Sequence, residues 1–191
     1  MDGCACQTGG VPVVNRHNLV GLFILFFTPV LASCVSTHKG AEDAERVTVC
    51  QVYAEPKHYD HKLLRISGTM SHGFEGFVIS DDRCIGEGIW LEYGGSIGSG
   101  TVFAGEPSSE RARSQSLVIE GVPTSMVYDH EFRKFDGLIR RKRNVEARVS
   151  IEGRFFSGEL LQLNAPFYGG YGHLGMFSLL VIQRVVSSGS D

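Results

Sequence analysis

The feature that most constrains this chain is an apolar run near its beginning. Residues 19–30 carry no charged side chain, and the small residues Ala32 and Ser33 and then Cys34 follow closely. The polar, weakly basic stretch Asn15–Asn18 precedes the run. A basic head, an apolar centre and a small-residue end are the three parts of a secretory signal peptide. The sequence therefore predicts export, with the folded domain lying after Cys34.

An uncleaved transmembrane helix is the alternative interpretation of the same run. A membrane span needs about 20 apolar residues, whereas Leu19 to Cys34 is 16 residues long and contains Pro29. The residues directly after it, Val35 to His38, are not a basic stop-transfer cluster. Length and flanking residues therefore favour a cleaved signal. Residues 1–14 have no place in a normal signal head and carry no expectation for the fold.

The four residues Leu31, Ala32, Ser33 and Cys34 resemble the lipobox of bacterial lipoproteins. The resemblance implies that the signal is cut before Cys34, that the cysteine thiol is diacylated, and that the new N-terminus is acylated in turn. It thus implies a lipid-anchored protein of the bacterial cell envelope. The residue directly after the cysteine is Val35 and not an acid. By similarity to enterobacterial sorting, this favours the outer membrane.

Removal of the signal leaves a length that is typical of one domain. Residues 1–33 are interpreted as leader and signal peptide, residues 34–46 as a polar lipidated tether, and residues 47–191 as one folded domain. One Arg and one Asp leave with the leader, so 17 basic residues oppose 20 acidic residues and the net charge stays at −3. This balance indicates neither a polyanion binder nor an acidic tail.

Two cysteines of the exported domain are predicted to form a disulfide. Cys4 and Cys6 lie in the leader, which leaves Cys50 and Cys84 in addition to the proposed lipid site. An even pair in an oxidising compartment is typical of a disulfide. Two separate buried thiols are the alternative. A redox or metal-binding pair is disfavoured, because no C-x-x-C spacing occurs.

The distribution of apolar residues and glycines predicts a mainly β domain. Short connections between the early strands favour an antiparallel meander. The predicted elements are a short helix capped by Thr48 and ended by Pro56, strands at 63–70, 74–80, 89–93 and 117–119, a helix at 129–140 with Phe132, Phe135 and Ile139 on one stripe, a strand from Val145 to Ile151, and a last strand at 176–186.

Three strands, a helix and two further strands follow the order of an OB-fold, a five-stranded partly open barrel. A small antiparallel β-sandwich is the alternative, because strand number alone does not separate the two. The segments 59–68 and 170–175 also resemble small uncharacterised domains of exported bacterial proteins. That resemblance implies no particular activity.

Two strings look like functional motifs without the context that such motifs need. Gly170–Gly175 spells G-x-G-x-x-G, but a dinucleotide site would follow a strand, open a helix and have an acid about 20 residues later. Arg140–Arg143 would suggest nucleic acid in an unexported protein. Export removes that partner, so these cations are interpreted as a solvated helix end or a contact for anionic envelope groups.

The first hypothesis for function is a non-catalytic binding module for a protein, glycan or other envelope ligand. OB-folds bind ligands through their second and third strands and the loops joining strands one to two and four to five. These two loops supply the candidate ligand-binding residues His72, Phe74, Phe167, Tyr168, Tyr171 and His173. We expect the six at one mouth of the barrel. The alternative is that Phe167 and Tyr171 fold back and plug it.

The second hypothesis is a small metal-dependent or hydrolytic envelope enzyme. His58 and His61, with Asp60 between them, are weak candidates for a zinc site with an open position. His72 and His173 would be further members of such a site. No nucleophile, base and orienting acid occur at a diagnostic local spacing. The binding module is therefore preferred, with no catalytic residue and no cofactor predicted.

Overall fold

The computed structural model describes residues 42–73, 76–84, 88–103, 106–107, 115–141, 144–158 and 170–189. The predicted signal peptide and the lipid site at Cys34 lie outside these ranges. In chain order the elements are β1 Glu45–Thr48, α1 Val49–Ala54, α2 Pro56–Tyr59, β2 Leu63–His72, β3 Phe77–Ser80, β4 Ile89–Tyr93, β5 Val102–Phe103, β6 Glu106–Pro107, β7 Val118–Ile119, β8 Val122–Pro123, α3 His130–Arg141, β9 Val145–Phe156 and β10 Leu179–Gly189.

Six strands form one mixed sheet in the order β1–β2–β3–β4–β10–β9, and β9 also pairs with β2. The strands β2, β3, β4, β10 and β9 thus form a ring of pairings, in which β4 and β10 are parallel and the other neighbours antiparallel. This order, with α3 between the third and fourth strands of the ring, is the one expected for an OB-fold. The mainly β class is confirmed.

The ring is not a clean barrel. β1 adds a sixth strand, parallel to the first half of β2. β3 pairs with β4 only at Val78 and Ile79. β1 also begins at Glu45, so it overlaps the last two residues of the predicted tether, 34–46.

Period-two alternation identifies the inward face of the long strands, since successive side chains of a strand point to opposite sides. In β2 the inward residues Leu64, Ile66 and Met70 are fully buried. In β9 the residues that the pattern selects, Val145, Ala147, Val149 and Ile151, are buried, and the strand continues to Phe156, where both faces are buried. The apolar stripe of α3 is likewise buried, at Phe132, Phe135 and Ile139. The last strand begins at Leu179 rather than at 176, because a turn occupies the preceding residues.

Thr48 begins α1 as its sequence predicts. Its hydroxyl accepts a hydrogen bond from the Gln51 backbone N–H at 3.1 Å, and Gln51 Oε1 accepts one from the Thr48 N–H at 2.8 Å. This reciprocal capping box satisfies two donors at the helix start. Pro56 follows the end of α1 and is the first residue of α2. Val52 in this helix is buried, whereas the adjacent Tyr53 is 47% exposed.

The barrel has two ends, which we name by what lies there. At the cleft end β9 finishes at Phe156, β10 begins at Leu179, and α1 and α2 pack across the opening. At the helix end β2 finishes at His72 opposite Val145, and α3 packs there through aromatic residues. Within the described ranges, none of the helices has the length and apolar composition needed to cross a bilayer.

The predicted disulfide is confirmed. Cys50 in α1 is bonded to Cys84, and their Cα atoms are 5.4 Å apart, within the range that a disulfide bridges. Cys84 follows the turn after β3, where its N–H donates to the Asp81 carbonyl. The bond therefore fixes α1 to the sheet.

Candidate functional site

A hydrogen-bonded cluster at the cleft end joins three distant parts of the chain. Glu120 lies in the turn between β7 and β8, and one of its carboxylate oxygens is 2.7 Å from the Tyr171 hydroxyl. Its other oxygen is 2.8 Å from Nε2 of His61. Burial, followed by the hydrogen bond to Glu120, raises the pKa of Tyr171, so the phenol remains a donor. We call His61, Glu120 and Tyr171 the Glu120 cluster.

The backbone around the Glu120 cluster is strained. Among the described residues, the non-glycine residues with positive φ are His61 at 60°, Glu120 at 49° and Leu174 at 57°. The first two are hydrogen-bonded to each other, and the third follows Tyr171 by three residues. Left-handed backbone costs about 1 to 2 kcal/mol per ordinary residue. It persists where the surrounding structure enforces it, and such residues concentrate at functional sites.

A second set of contacts fixes the backbone of His61. Its N–H donates to the Phe155 carbonyl at 2.8 Å, and its carbonyl accepts a hydrogen bond from Arg154 Nη1 at 2.7 Å. The guanidinium of Arg154 also binds the Glu42 carboxylate, with Nη2 to Oε2 at 2.7 Å. That hydrogen bond lowers the pKa of Glu42. The beginning of the described chain is therefore held at the cleft end.

A cleft of about 270 Å³ opens at the same end of the barrel. It lies between α1, the start of β4 and the turn that precedes β10, and its apolar lining includes Val52, Ile89, Phe155 and Phe177. The rim residues Tyr53 and Met176 are 47% and 61% exposed, and Leu174, two residues before Met176, is 49% exposed. Apolar side chains grouped at a surface in this way indicate an interaction site. We call Tyr53, Leu174 and Met176 the apolar rim.

The outer face of β4, by contrast, is covered by the chain itself. Trp90 is buried beneath Tyr171, Phe177 and residues of the β7–β8 hairpin. Glu92 is also fully buried, and its carboxylate accepts hydrogen bonds from the Tyr93 N–H and from the Ser99 N–H and hydroxyl. β4 is the third strand of the ring, so part of the usual OB-fold ligand face is occupied by internal contacts.

The structure separates the predicted ligand-binding residues. His72 lies opposite Val145 at the helix end, whereas the ring of Tyr171 contacts Phe156 at the cleft end. Val145 and Phe156 are eleven residues apart on β9, which is roughly 36 Å of extended strand. The expectation of one shared mouth is therefore wrong, because the two loops leave the barrel at opposite ends.

The individual candidates have different environments. Tyr171 is 4% exposed and packs with Trp90 in the apolar cluster on the outer face of β4, beneath the hairpin. His173 is partly exposed in the turn beside the apolar rim. The ring nitrogens of His72 are buried without a hydrogen-bond partner among the described residues, and burial lowers its pKa. Phe74, Phe167 and Tyr168 lie outside the described residues.

The two weak metal candidates contact different partners. His58 Nε2 is 3.1 Å from Lys62 Nζ, whereas His61 Nε2 contacts Glu120. In the part of the chain that the structure describes, no group of three or more His, Cys, Asp or Glu side chains is arranged to hold a metal ion. Asp60, the acid between them, accepts a hydrogen bond from the Ser157 N–H at 2.8 Å.

Glu120 is the site residue that the sequence analysis missed. The local sequence signal is the pair Glu120–Gly121 directly after the predicted short strand, since a glycine in such a pair is typical of a tight hairpin turn. Both residues have positive φ in the structure. Nothing nearby in the sequence points to His61 or Tyr171. The segment Gly170–Gly175 is followed by β10 rather than by a helix, which agrees with setting the dinucleotide motif aside.

Fold and site together define an OB-fold-like domain with an apolar cleft and a strained polar cluster at one end. Comparison of the chain with protein-family models, curated proteins and solved structures found no match.

Proposed function

We propose that this protein is a lipid-anchored binding protein of the bacterial cell envelope, attached through Cys34 at the outer membrane. Its folded domain, which begins with β1 at Glu45, acts as a non-catalytic binding module for an envelope ligand. The Cys50–Cys84 disulfide is the observation that carries the proposal, because structural disulfides belong to oxidising compartments. It supports the export that the apolar run predicts, independently of that run.

The binding surface in this proposal is the cleft end. Its apolar rim is exposed, while the outer face of β4 is covered. The Glu120 cluster holds the neighbouring backbone in a strained conformation, which a ligand-binding surface would use to present Leu174 and Met176 in a fixed geometry.

Fatty-acid labelling tests the anchoring. Cells producing the wild-type chain are grown with radiolabelled palmitate, and the label is followed in the wild type and in Cys34→Ala. We expect label in the wild type and none in Cys34→Ala. Cys6→Ala is the matched control, since Cys6 leaves with the signal and its loss should not change labelling. A wild type without label, or with residues 19–31 still attached, would contradict the proposal.

Site-directed photo-crosslinking tests the binding surface. A photo-reactive amino acid replaces Met176 at the cleft end. The control replaces Val127, which is 47% exposed and lies three residues before the start of α3 at His130. In intact cells we expect adducts with envelope components, lipids included, from position 176 and none from position 127. Equal adducts from both positions, or none from either, would show that the cleft end is not the binding surface.

A further inference from the structure

We infer that the cleft end faces the lipid bilayer, with the apolar rim in contact with it. This inference rests on the proposed lipidation of Cys34 and names the partner of the same surface. Three observations carry it: the attachment of Glu42, the length of chain between Glu42 and Cys34, and the exposure of Tyr53, Leu174 and Met176.

The position of Glu42 determines which end of the barrel lies near the anchor. Both terminal nitrogens of Arg154 contact the Glu42 carboxylate, at 3.2 and 2.7 Å. Arg154 also binds the carbonyl of His61 and precedes Phe155, which lines the cleft. The chain therefore enters the folded domain at the cleft end.

The short chain before Glu42 favours orientations in which the cleft end lies near the membrane. Cys34 precedes Glu42 by eight residues, and eight extended residues span at most about 29 Å. A compact domain of about 150 residues has a radius of gyration near 15 Å, hence a diameter of roughly 38 Å. With the helix end against the bilayer, these eight residues would have to run almost fully extended along the domain to reach Glu42. Their length therefore favours the cleft end or an adjacent side toward the lipid.

The apolar rim favours the cleft end over an adjacent side as the surface that faces the lipid. Of the six large apolar side chains exposed in the described part of the chain, three belong to the rim. Leu and Met side chains enter the acyl boundary of a bilayer, and Tyr is favoured at the membrane interface because its ring is apolar and its hydroxyl polar. Met176 and Tyr53 both border the cleft, so one surface presents them together.

Depth-dependent fluorescence quenching tests this orientation on the lipidated full-length protein. Met176→Cys and, as the control, Glu146→Cys are each labelled with an environment-sensitive fluorophore. Glu146 is exposed and lies near the start of β9 at the helix end. In these variants Cys50 and Cys84 are joined, so the introduced thiol is the reactive one. The proteins are placed in vesicles of phosphatidylethanolamine and phosphatidylglycerol, with and without doxyl-labelled lipid.

We expect blue-shifted emission and quenching by doxyl lipid at position 176, and neither at position 146. Equal quenching at the two positions, or none at 176, would overturn the inference. A label at 176 that is shielded from aqueous iodide but not quenched by lipid would place protein there, from the same chain or a second copy, and would also overturn it. Fatty-acid labelling of the same samples distinguishes failure of this inference from failure of the proposed function. Protein that is lipidated but not quenched at position 176 would contradict the orientation alone.

Discussion

Removal of the Cys50–Cys84 disulfide should lower stability by an amount that follows from its position. The two cysteines are 34 residues apart. The loop-closure relation for a loop of that size gives an entropy loss in the unfolded chain that corresponds to about 3.8 kcal/mol at 25 °C. In a domain of about 150 residues, 1 kcal/mol shifts Tm by roughly 2 to 4 °C. Cys50→Ala combined with Cys84→Ala should therefore lower Tm by about 8 to 15 °C.

Urea unfolding followed by circular dichroism gives the free energy of unfolding for the wild type and the double variant. The matched control is the wild type unfolded in dithiothreitol, because reduction removes the same cross-link without deleting either side chain. Both samples should lose similar stability. A loss below about 1 kcal/mol, the ordinary size of a single substitution effect, would refute the argument from the unfolded chain. A large loss in the double variant but not on reduction would assign the effect to packing of the side chains.

Three further perturbations test single contacts. Glu120→Ala deletes an acceptor shared by two side chains and should cost about 1 to 3 kcal/mol in urea unfolding, with Glu120→Gln losing less; an unchanged midpoint would mean that the cluster does not hold the hairpin. Gly172→Ala places a Cβ 2.3 Å from the Trp90 ring at a φ of 69°, so a loss of about 2 to 5 kcal/mol is expected, and Gly121→Ala, with positive φ but open space, should lose less. Burial lowers the pKa of His72 in the folded protein, so protonation of this side chain favours the unfolded chain. The free energy of unfolding should therefore be highest above the unfolded pKa of about 6.5 and should decline as the pH falls from there toward the folded pKa. His72→Phe should flatten that decline, and an unchanged slope would contradict the assignment.

Local pattern was sufficient to predict the elements with a clear apolar period. Ile89–Tyr93 was predicted with the bounds that the structure shows, and the α3 stripe and the inward face of β9 follow directly from spacing. Such segments are predictable because one face of each is buried in one core, so their periodicity is imposed by packing. Thr48 belongs to the same group, since a capping box is made from residues three apart.

The remaining features depend on contacts between distant residues. β1 has four residues and no clear alternation, and its pairing partner begins at Leu64. Glu120 meets residues 59 positions before it and 51 positions after it. The end of the barrel at which each loop lies depends on how β9 is aligned with β2 and β10. That register is set between distant strands and cannot be read from any local segment. Tyr53 lies at helical spacing from buried residues, but the cleft beside it leaves its ring without cover.

The burial of Trp90 supports placing the proposed binding surface at the cleft end rather than along the third strand. Its indole nitrogen is buried with no hydrogen-bond partner among the described residues, which costs about 1 to 3 kcal/mol. Contacts of its ring with Phe177 and its neighbours compensate for that cost. These covering residues are positioned through Tyr171, which Glu120 binds, and Leu174 and Met176 follow Tyr171 in the same turn. The contacts that cover the outer face of β4 therefore also set the geometry of the apolar rim, so a change that uncovers Trp90 should displace the rim as well.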